Sequence, residues 1–143
     1  MLWVIRGLPD YQAVQEGEED GWSEPEAFLP AESVMWDVKV RGDIAYMTTY
    51  DGAHYQEGDV FVRFWQSDNA RDWQLVDAVE SVYVGGVSEV AFEFDEEGNL
   101  WTVGRNEDGD STGAGSQICF ASKSDSISNT NLSKPNQASS LPP

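Results

Sequence analysis

Residues 88–105, SEVAFEFDEEGNLWTVGR, constrain the fold more than any other stretch, because their pattern predicts one β-hairpin. Apolar side chains alternate with other residues in the first half, which is the period of a strand with one buried face. A polar turn, DEEGN, precedes a second β-rich run that begins at Leu100. If Phe94 pairs with Leu100, antiparallel pairing places Glu89 opposite Arg105, so these two side chains meet at the open end.

The composition of the 143 residues favours one folded domain, because 40% are hydrophobic and six Trp and six Phe are present. Twenty-six acidic residues against eight basic ones give a net charge of -18, which would repel nucleic acid and anionic lipid head groups. We therefore expect no nucleic-acid partner and no membrane insertion, and no segment reads as a signal peptide or a membrane span. The single cysteine, Cys119, lies in an apolar run and is expected to be a buried small hydrophobe.

Strand-like runs follow one another along most of the chain. Residues 2–6 form the first, and residues 35–40 and 44–50 form a hairpin across a three-residue turn. Residues 59–66 and 73–79 extend that hairpin into a meander of four antiparallel strands.

This strand pattern repeats along the sequence. The segment GDIAY, from Gly42, matches GNLWT, from Gly98, at an offset of 56 residues, and FVRFWQSD, from Phe61, matches ICFASKSD, from Ile118, at 57. A repeat of four short antiparallel strands is typical of a β-propeller blade, and a β-sandwich of unrelated hairpins is the alternative. The predicted fold class is therefore all-β, a partial β-propeller of four-stranded antiparallel blades, about two blades in extent.

The repeat divides the chain into four regions. Residues 1–33 are expected to be the end of a preceding blade with an acidic loop, residues 34–82 a complete blade, and residues 83–125 part of the following blade. Residues 126–143 are rich in Ser, Asn and Pro and are expected to form a disordered tail. Too few blades are present to close a ring, since propellers typically have about 4 to 8.

An acidic stretch lies between the first strand and the first hairpin. Residues 10–32 contain eight acidic residues and no Lys or Arg, which predicts a solvated loop. A calcium site is the less favoured alternative, because the run lacks the alternating ligands and fixed glycine of a calcium loop. We therefore expect no metal and no cofactor.

The turn SDNARDW at residues 67–73 resembles an Asp box of the sialidase-like propellers, with Asn69 in place of the acid and Ala70 in place of the glycine. Ser124 and Asp125 resemble the start of another box. In that family the box lies between the third and fourth strands, away from the catalytic face. The resemblance therefore implies a structural role, in which polar side chains satisfy the turn and Trp73 packs between sheets.

The hairpin itself also resembles the sialidases, in which a Gly-x-Ser-Glu segment opens a hairpin whose return strand ends in Arg. By this resemblance, Glu89 would be the glutamate that activates a tyrosine nucleophile, and Arg105 one of three arginines that bind the substrate carboxylate. These residue types suit that chemistry, because a guanidinium can bind a carboxylate in two parallel hydrogen bonds. An exposed cross-strand ion pair is the simpler alternative for Glu89 and Arg105.

Further candidates come from the blade geometry, which brings the start of the first strand and the end of the second to one rim. Trp36 and Asp37 hold these positions in the preceding blade and are predicted to bind substrate with Arg105. Packing of Trp36 and a turn position for Asp37 are the simpler alternatives. The other rim candidates are Arg6, Tyr50, Asp51 and His54.

The predicted function is that of a fragment of a sialidase-like, glycan-active propeller of the exo-glycosidase type. Its partner would be a carbohydrate, such as a sialylated or other acidic glycan. The resemblance implies further arginines, a tyrosine nucleophile and an aspartate acid that would come from blades outside this chain, so catalysis by the chain alone is not expected. The five-bladed furanosidase-like group, with an Asp placed as Asp37 is, is another possibility within the glycosidases. The competing class is a non-catalytic propeller scaffold that binds carbohydrate or a protein partner.

Overall fold

A computed structural model of the chain describes residues 2–5, 11–14, 24–30, 32–52, 58–107 and 114–124, the first two segments as backbone only. Within these residues the chain is all-β, as predicted, and its helical content is a single 3-10 turn, Val76–Ala78. The strands are β1 (Leu2–Ile5), β2 (Tyr11–Val14), β3 (Glu26–Ala27), β4 (Val34–Arg41), β5 (Ile44–Gly52), β6 (Val60–Ser67), β7 (Gln74–Leu75), β8 (Tyr83–Gly85), β9 (Val87–Phe94), β10 (Leu100–Asn106) and β11 (Ser116–Ala121).

The described strands form three antiparallel sheets. The first has the order β1-β2-β3, the middle one β4-β5-β6 with both β7 and β8 on the far edge of β6, and the last one β9-β10-β11. Consecutive strands pair in each sheet except β7 and β8, which both pair with β6. This pairing confirms the meander from β4 to β6 and the β9–β10 hairpin. Sheets of three to five antiparallel strands that do not close into a barrel are compatible with part of a propeller.

The fourth strand of the middle sheet differs from its prediction. The sequence predicts one strand over residues 73–79, but β7 ends at Leu75 and the 3-10 turn follows, with Asp77 and Ala78 at φ of 54° and 57°. Positive φ values are incompatible with extended backbone, so the strand cannot continue. β8 instead covers the other end of β6, where Val60 pairs with Gly85, so the middle sheet extends past the predicted boundary at residue 82.

The first region also contains more strand than its sequence indicated. β2 lies inside the stretch expected to be an acidic loop, and it pairs with both β1 and β3. Its sequence, YQAV, is too short to show a reliable alternation. The densest acidic run, residues 16–20, and the predicted tail, residues 126–143, lie outside the described residues.

The two long hairpins carry a β-bulge at the same place. In β4, Trp36 is the extra residue between the pairs Met35–Thr49 and Asp37–Thr48. In β9, Glu89 and Val90 together lie opposite Gly104, which is 56 residues after Thr48. The repeat is therefore present in the backbone of the first two strands.

The third strands of the two sheets, β6 and β11, are related by a different sequence offset from the one that their sequences suggested. Gln66 lies opposite Tyr46, and Cys119 lies opposite Thr102, so the pairing relates these strands by 53 residues rather than 57. The similarity of FVRFWQSD and ICFASKSD therefore does not reflect equivalent positions in the sheets.

β9 joins the middle and last sheets into one core. Its buried Val87 and Val90 pack with residues of β5 and β6, and Phe92 meets the ring of Phe64 edge-on at a centroid distance of 5.1 Å. Burying each such side chain contributes about 1.5–3 kcal/mol. Thr48 Oγ1 adds a hydrogen bond to the Val90 carbonyl at 2.5 Å, so polar as well as apolar contacts fix the two sheets beside the bulge.

Candidate functional site

The open end of the β9–β10 hairpin is the candidate site. The predicted contact between its two charged residues is present, since Arg105 Nη1 lies 3.5 Å from Glu89 Oε1. Their pairing is not the predicted one, although the anchoring pair Phe94–Leu100 is. Arg105 lies opposite Ser88, because the bulge adds one residue to β9 between the turn and the open end.

The bulge gives Glu89 an unusual backbone. Its φ is 53°, in the left-handed region that costs a non-glycine residue about 1–2 kcal/mol. Gly104 makes the bulge possible from the other strand, since a Cβ there would overlap the Val87 side chain and approach Val90 Cγ2 to 3.1 Å. Strained residues of this kind persist where the surrounding packing determines them, and they are frequent at functional sites.

The Glu89–Arg105 pair is only partly shielded from water. The Arg105 side chain is 46% exposed and that of Glu89 is 21% exposed. A pair with this exposure contributes about 0–1 kcal/mol to stability, because water screens the attraction. The pair therefore contributes little to folding, and the Arg105 guanidinium remains accessible from solvent.

Two further polar residues, Ser88 and Glu107, complete the open end, and no sequence pattern predicted a role for either of them. The fully buried hydroxyl of Ser88 donates a hydrogen bond to a carboxylate oxygen of Glu107. Glu107 is itself anchored, since its backbone N–H donates to the Gly86 carbonyl at 2.8 Å. Glu107 follows the end of β10, where strand periodicity no longer predicts which way a side chain points, so only its proximity to Arg105 in sequence could have indicated it.

Trp36 and Asp37 are held in the packing between the sheets. Trp36 packs against the core cluster that contains Val87 and Val90, with its ring 6.4 Å from that of Tyr50. Asp37 Oδ2 accepts a hydrogen bond from the Phe92 backbone N–H at 3.0 Å, three residues beyond Glu89. The structure thus brings Glu89 and Arg105 together and gives Trp36 and Asp37 contacts inside the fold.

The remaining rim candidates that the structure describes also make contacts within the fold. Tyr50 is a buried member of the core, and Asp51 forms an ion pair with Arg63 on the neighbouring strand. Arg6 and His54 lie outside the described residues.

The turn between β6 and β7 has the hydrogen bonding that its sequence suggested. Asn69 Oδ1 accepts hydrogen bonds from the backbone N–H groups of Arg71 and Asp72 at 2.9 and 2.8 Å, and from the Ser67 hydroxyl at 3.1 Å. Ala70 has a φ of 57°, which explains why a glycine would suit its position. The Trp73 ring lies 6.3 Å from that of Phe28, so the turn also supports packing.

Cys119 is half-buried on β11 and lines a small apolar cavity of about 30 Å³ between the middle and last sheets. Burial raises the pKa of its thiol, so the group stays protonated near neutral pH. The apolar surroundings agree with its interpretation as a small hydrophobe, but the side chain is half-buried and not buried as predicted. No group of three or more His, Cys, Asp or Glu side chains is placed to hold a metal among the described residues.

Comparison with known proteins yields no match of significance, whether with family models, curated proteins or solved structures. The resemblance to sialidase-like propellers therefore depends on the motifs within this chain. Among the residues that the structure describes, no helix is long and apolar enough to cross a membrane.

Proposed function

We propose that this chain is part of a sialidase-like, glycan-active propeller in which Arg105 binds the carboxylate of an acidic sugar. The observation that supports this proposal is the Glu89–Arg105 pair, in which a bulge and a positive φ hold the glutamate 3.5 Å from an accessible guanidinium. Such an arrangement adds little to stability, yet it is built at a cost in backbone strain. A role in ligand binding would explain why the strained backbone of Glu89 is present.

The chemistry of the pair suits recognition of a carboxylate. A guanidinium is always charged and can bind a carboxylate through two parallel hydrogen bonds. Glu89 orients the guanidinium, and a ligand would compete with Glu89 for its N–H groups, so the affinity for a single sugar should be weak. We expect binding without hydrolysis, since the resemblance places the nucleophile, the acid and the other arginines outside this chain.

The test compares binding of N-acetylneuraminic acid with binding of its methyl ester, which lacks the charge, by saturation-transfer NMR on the 143-residue chain. The wild type should bind the acid and not the ester. Arg105→Lys should weaken binding about tenfold or more, because one ammonium cannot replace two charged hydrogen bonds. Arg71→Lys, in the turn between β6 and β7, is the matched control and should bind as the wild type does.

The stability of each variant should be measured by urea unfolding, so that a loss of binding is not confused with a loss of fold. Equal binding by the wild type and Arg105→Lys, or binding by neither, would exclude a carboxylate-binding site at Arg105. Hydrolysis of a fluorogenic sialoside by this chain alone would contradict the expectation of binding without catalysis.

A non-catalytic scaffold that binds protein partners is the second candidate. It is favoured by the internal contacts of Trp36 and Asp37, which engage the two residues that would otherwise enlarge a sugar site. Failure of the Arg105 test together with protein binding at another surface would favour this function.

A further inference from the structure

The outer face of the last sheet is apolar and open to solvent. Trp101 and Val103 of β10 lie opposite Phe120 and Ile118 of β11, and all four side chains are between 44% and 59% exposed. The Trp101 and Phe120 rings contact each other, with centroids 4.7 Å apart. We call these four residues the outer patch. A contiguous patch of exposed apolar residues marks an interaction site more often than it occurs on ordinary surface.

Within the described part of the chain, the β11 edge of the same sheet is also uncovered. Among the described residues, β11 pairs with β10 alone, whereas the equivalent edge of β6 in the middle sheet is covered by β7 and β8. An uncovered strand edge presents backbone donors and acceptors that can pair with an incoming strand. The outer patch reaches this edge, because Ile118 and Phe120 belong to β11.

The charge around the outer patch restricts what can bind. The Glu93 side chain, opposite Trp101 on β9, is 71% exposed and pairs with Lys39 Nζ at 3.5 Å, and Asp95 Oδ2 accepts a hydrogen bond from Trp101 Nε1 at 3.1 Å. A second copy of the chain would bring another net charge of -18 to this surface. Residues 125–143 of this chain contain three large aliphatic residues and one Asp against one Lys, so they supply neither the apolar area nor the positive charge.

We propose that the edge of β11 binds an extended strand of another polypeptide that has apolar side chains on the face beside the outer patch and a net positive charge from lysine or arginine. The strand pairs antiparallel with β11, as all neighbouring strands do in the described sheets. Its apolar side chains extend the outer patch beside Ile118 and Phe120. Its positive charges are attracted by the field of the acidic chain.

The test uses three synthetic eight-residue peptides with alternating sequences, Val/Lys, Thr/Lys and Val/Glu. Fluorescence anisotropy of each labelled peptide should show binding of Val/Lys to the 143-residue chain, about tenfold weaker binding of Thr/Lys, and no binding of Val/Glu. Ile118→Thr should weaken Val/Lys binding about tenfold. Val40→Thr changes another exposed β-branched aliphatic residue, which lies on β4 and not in the outer patch, and it should have no effect.

Several results would overturn the proposal. Equal binding of Val/Lys and Thr/Lys would mean that charge alone attracts the peptide, and equal effects of Ile118→Thr and Val40→Thr would place the site elsewhere. No binding of Val/Lys would also exclude it. A dimer in sedimentation that Ile118→Thr abolishes would make a second copy the occupant, and tighter Val/Lys binding after truncation at Ser124 would make residues 125–143 the occupant.

Discussion

The middle and last sheets are built alike but end in different environments. Each begins with a hairpin that carries a bulge at the equivalent position, and each continues as an antiparallel meander. In the middle sheet both faces of the β5–β6 pair carry buried side chains, since Met47 on one side and Val62 on the other are nearly inaccessible. In the last sheet Thr102 is buried toward the core, whereas its neighbour Trp101 is about half exposed.

This difference shows that the sequence of a strand sets its apolar character, whereas the elements packed against it set its burial. β10 and β11 carry large apolar side chains on the outer face, as a strand buried on both sides would. They are exposed because the described residues supply no layer to cover them.

The largest effect is expected from Phe92, which lies between the two sheets. Phe92→Ala should lower the free energy of unfolding by about 3–5 kcal/mol, because it leaves a cavity beside Phe64. Phe120→Ala, on the outer patch, should cost less than about 1.5 kcal/mol, because the side chain is already half exposed. Urea unfolding of both variants tests the contrast. Similar losses would mean that the outer patch is covered in solution.

The second prediction concerns the bulge in the last sheet. Gly104→Ala should destabilise the chain by about 1–3 kcal/mol, since its Cβ would meet Val87 and Val90. Gly115→Ala is the control, because open space surrounds its Cβ position. A Gly104→Ala variant with the wild-type unfolding midpoint in urea would show that the two strands are not held this closely.

The third prediction separates the two properties of Glu89, its backbone and its charge. Glu89→Gly and Glu89→Ala both remove the ion pair with Arg105, but only glycine adopts the positive φ without strain. Glu89→Gly should therefore be more stable than Glu89→Ala by about 1 kcal/mol in thermal or urea unfolding. The reverse order would argue against a left-handed residue at the bulge.

The smallest effect comes from Asp95 at the closed end of the hairpin. The hydrogen bond from the Asn99 side chain, and to a lesser extent the one from Trp101, holds the pKa of Asp95 below its ordinary value of 3.8. A lowered pKa in the folded state stabilises the fold above the unfolded pKa, and this contribution is lost as the pH falls through the folded pKa.

Asp95→Asn should therefore lose less stability than the wild type when the pH falls below 3.8. Urea midpoints at neutral pH and at about pH 2 measure the difference. Glu97→Gln, in the same turn, is the control for the loss of one carboxylate. Parallel losses in the wild type and Asp95→Asn would show that the bonds to Asp95 do not favour its charged form.

The sequence by itself determined the strands of the two long hairpins and β6, their antiparallel order and the turn that joins β9 to β10. These features depend on local alternation and on turn residues such as Gly98, so they are visible in short windows. The sequence also predicted that Glu89 and Arg105 meet, which the structure confirms. Their catalytic and binding roles remain predictions.

Only the tertiary structure decided the register at the open end, because a bulge is set by packing such as that of Val87 and Val90 against Gly104. It also decided that Asp37 bonds to Phe92, which is 55 residues away in sequence. Contacts between residues so far apart in sequence depend on how two sheets pack together. A local pattern of residue types does not predict that packing. The exposure of Trp101 and Phe120 has the same origin, since their burial depends on which surfaces lie beside them.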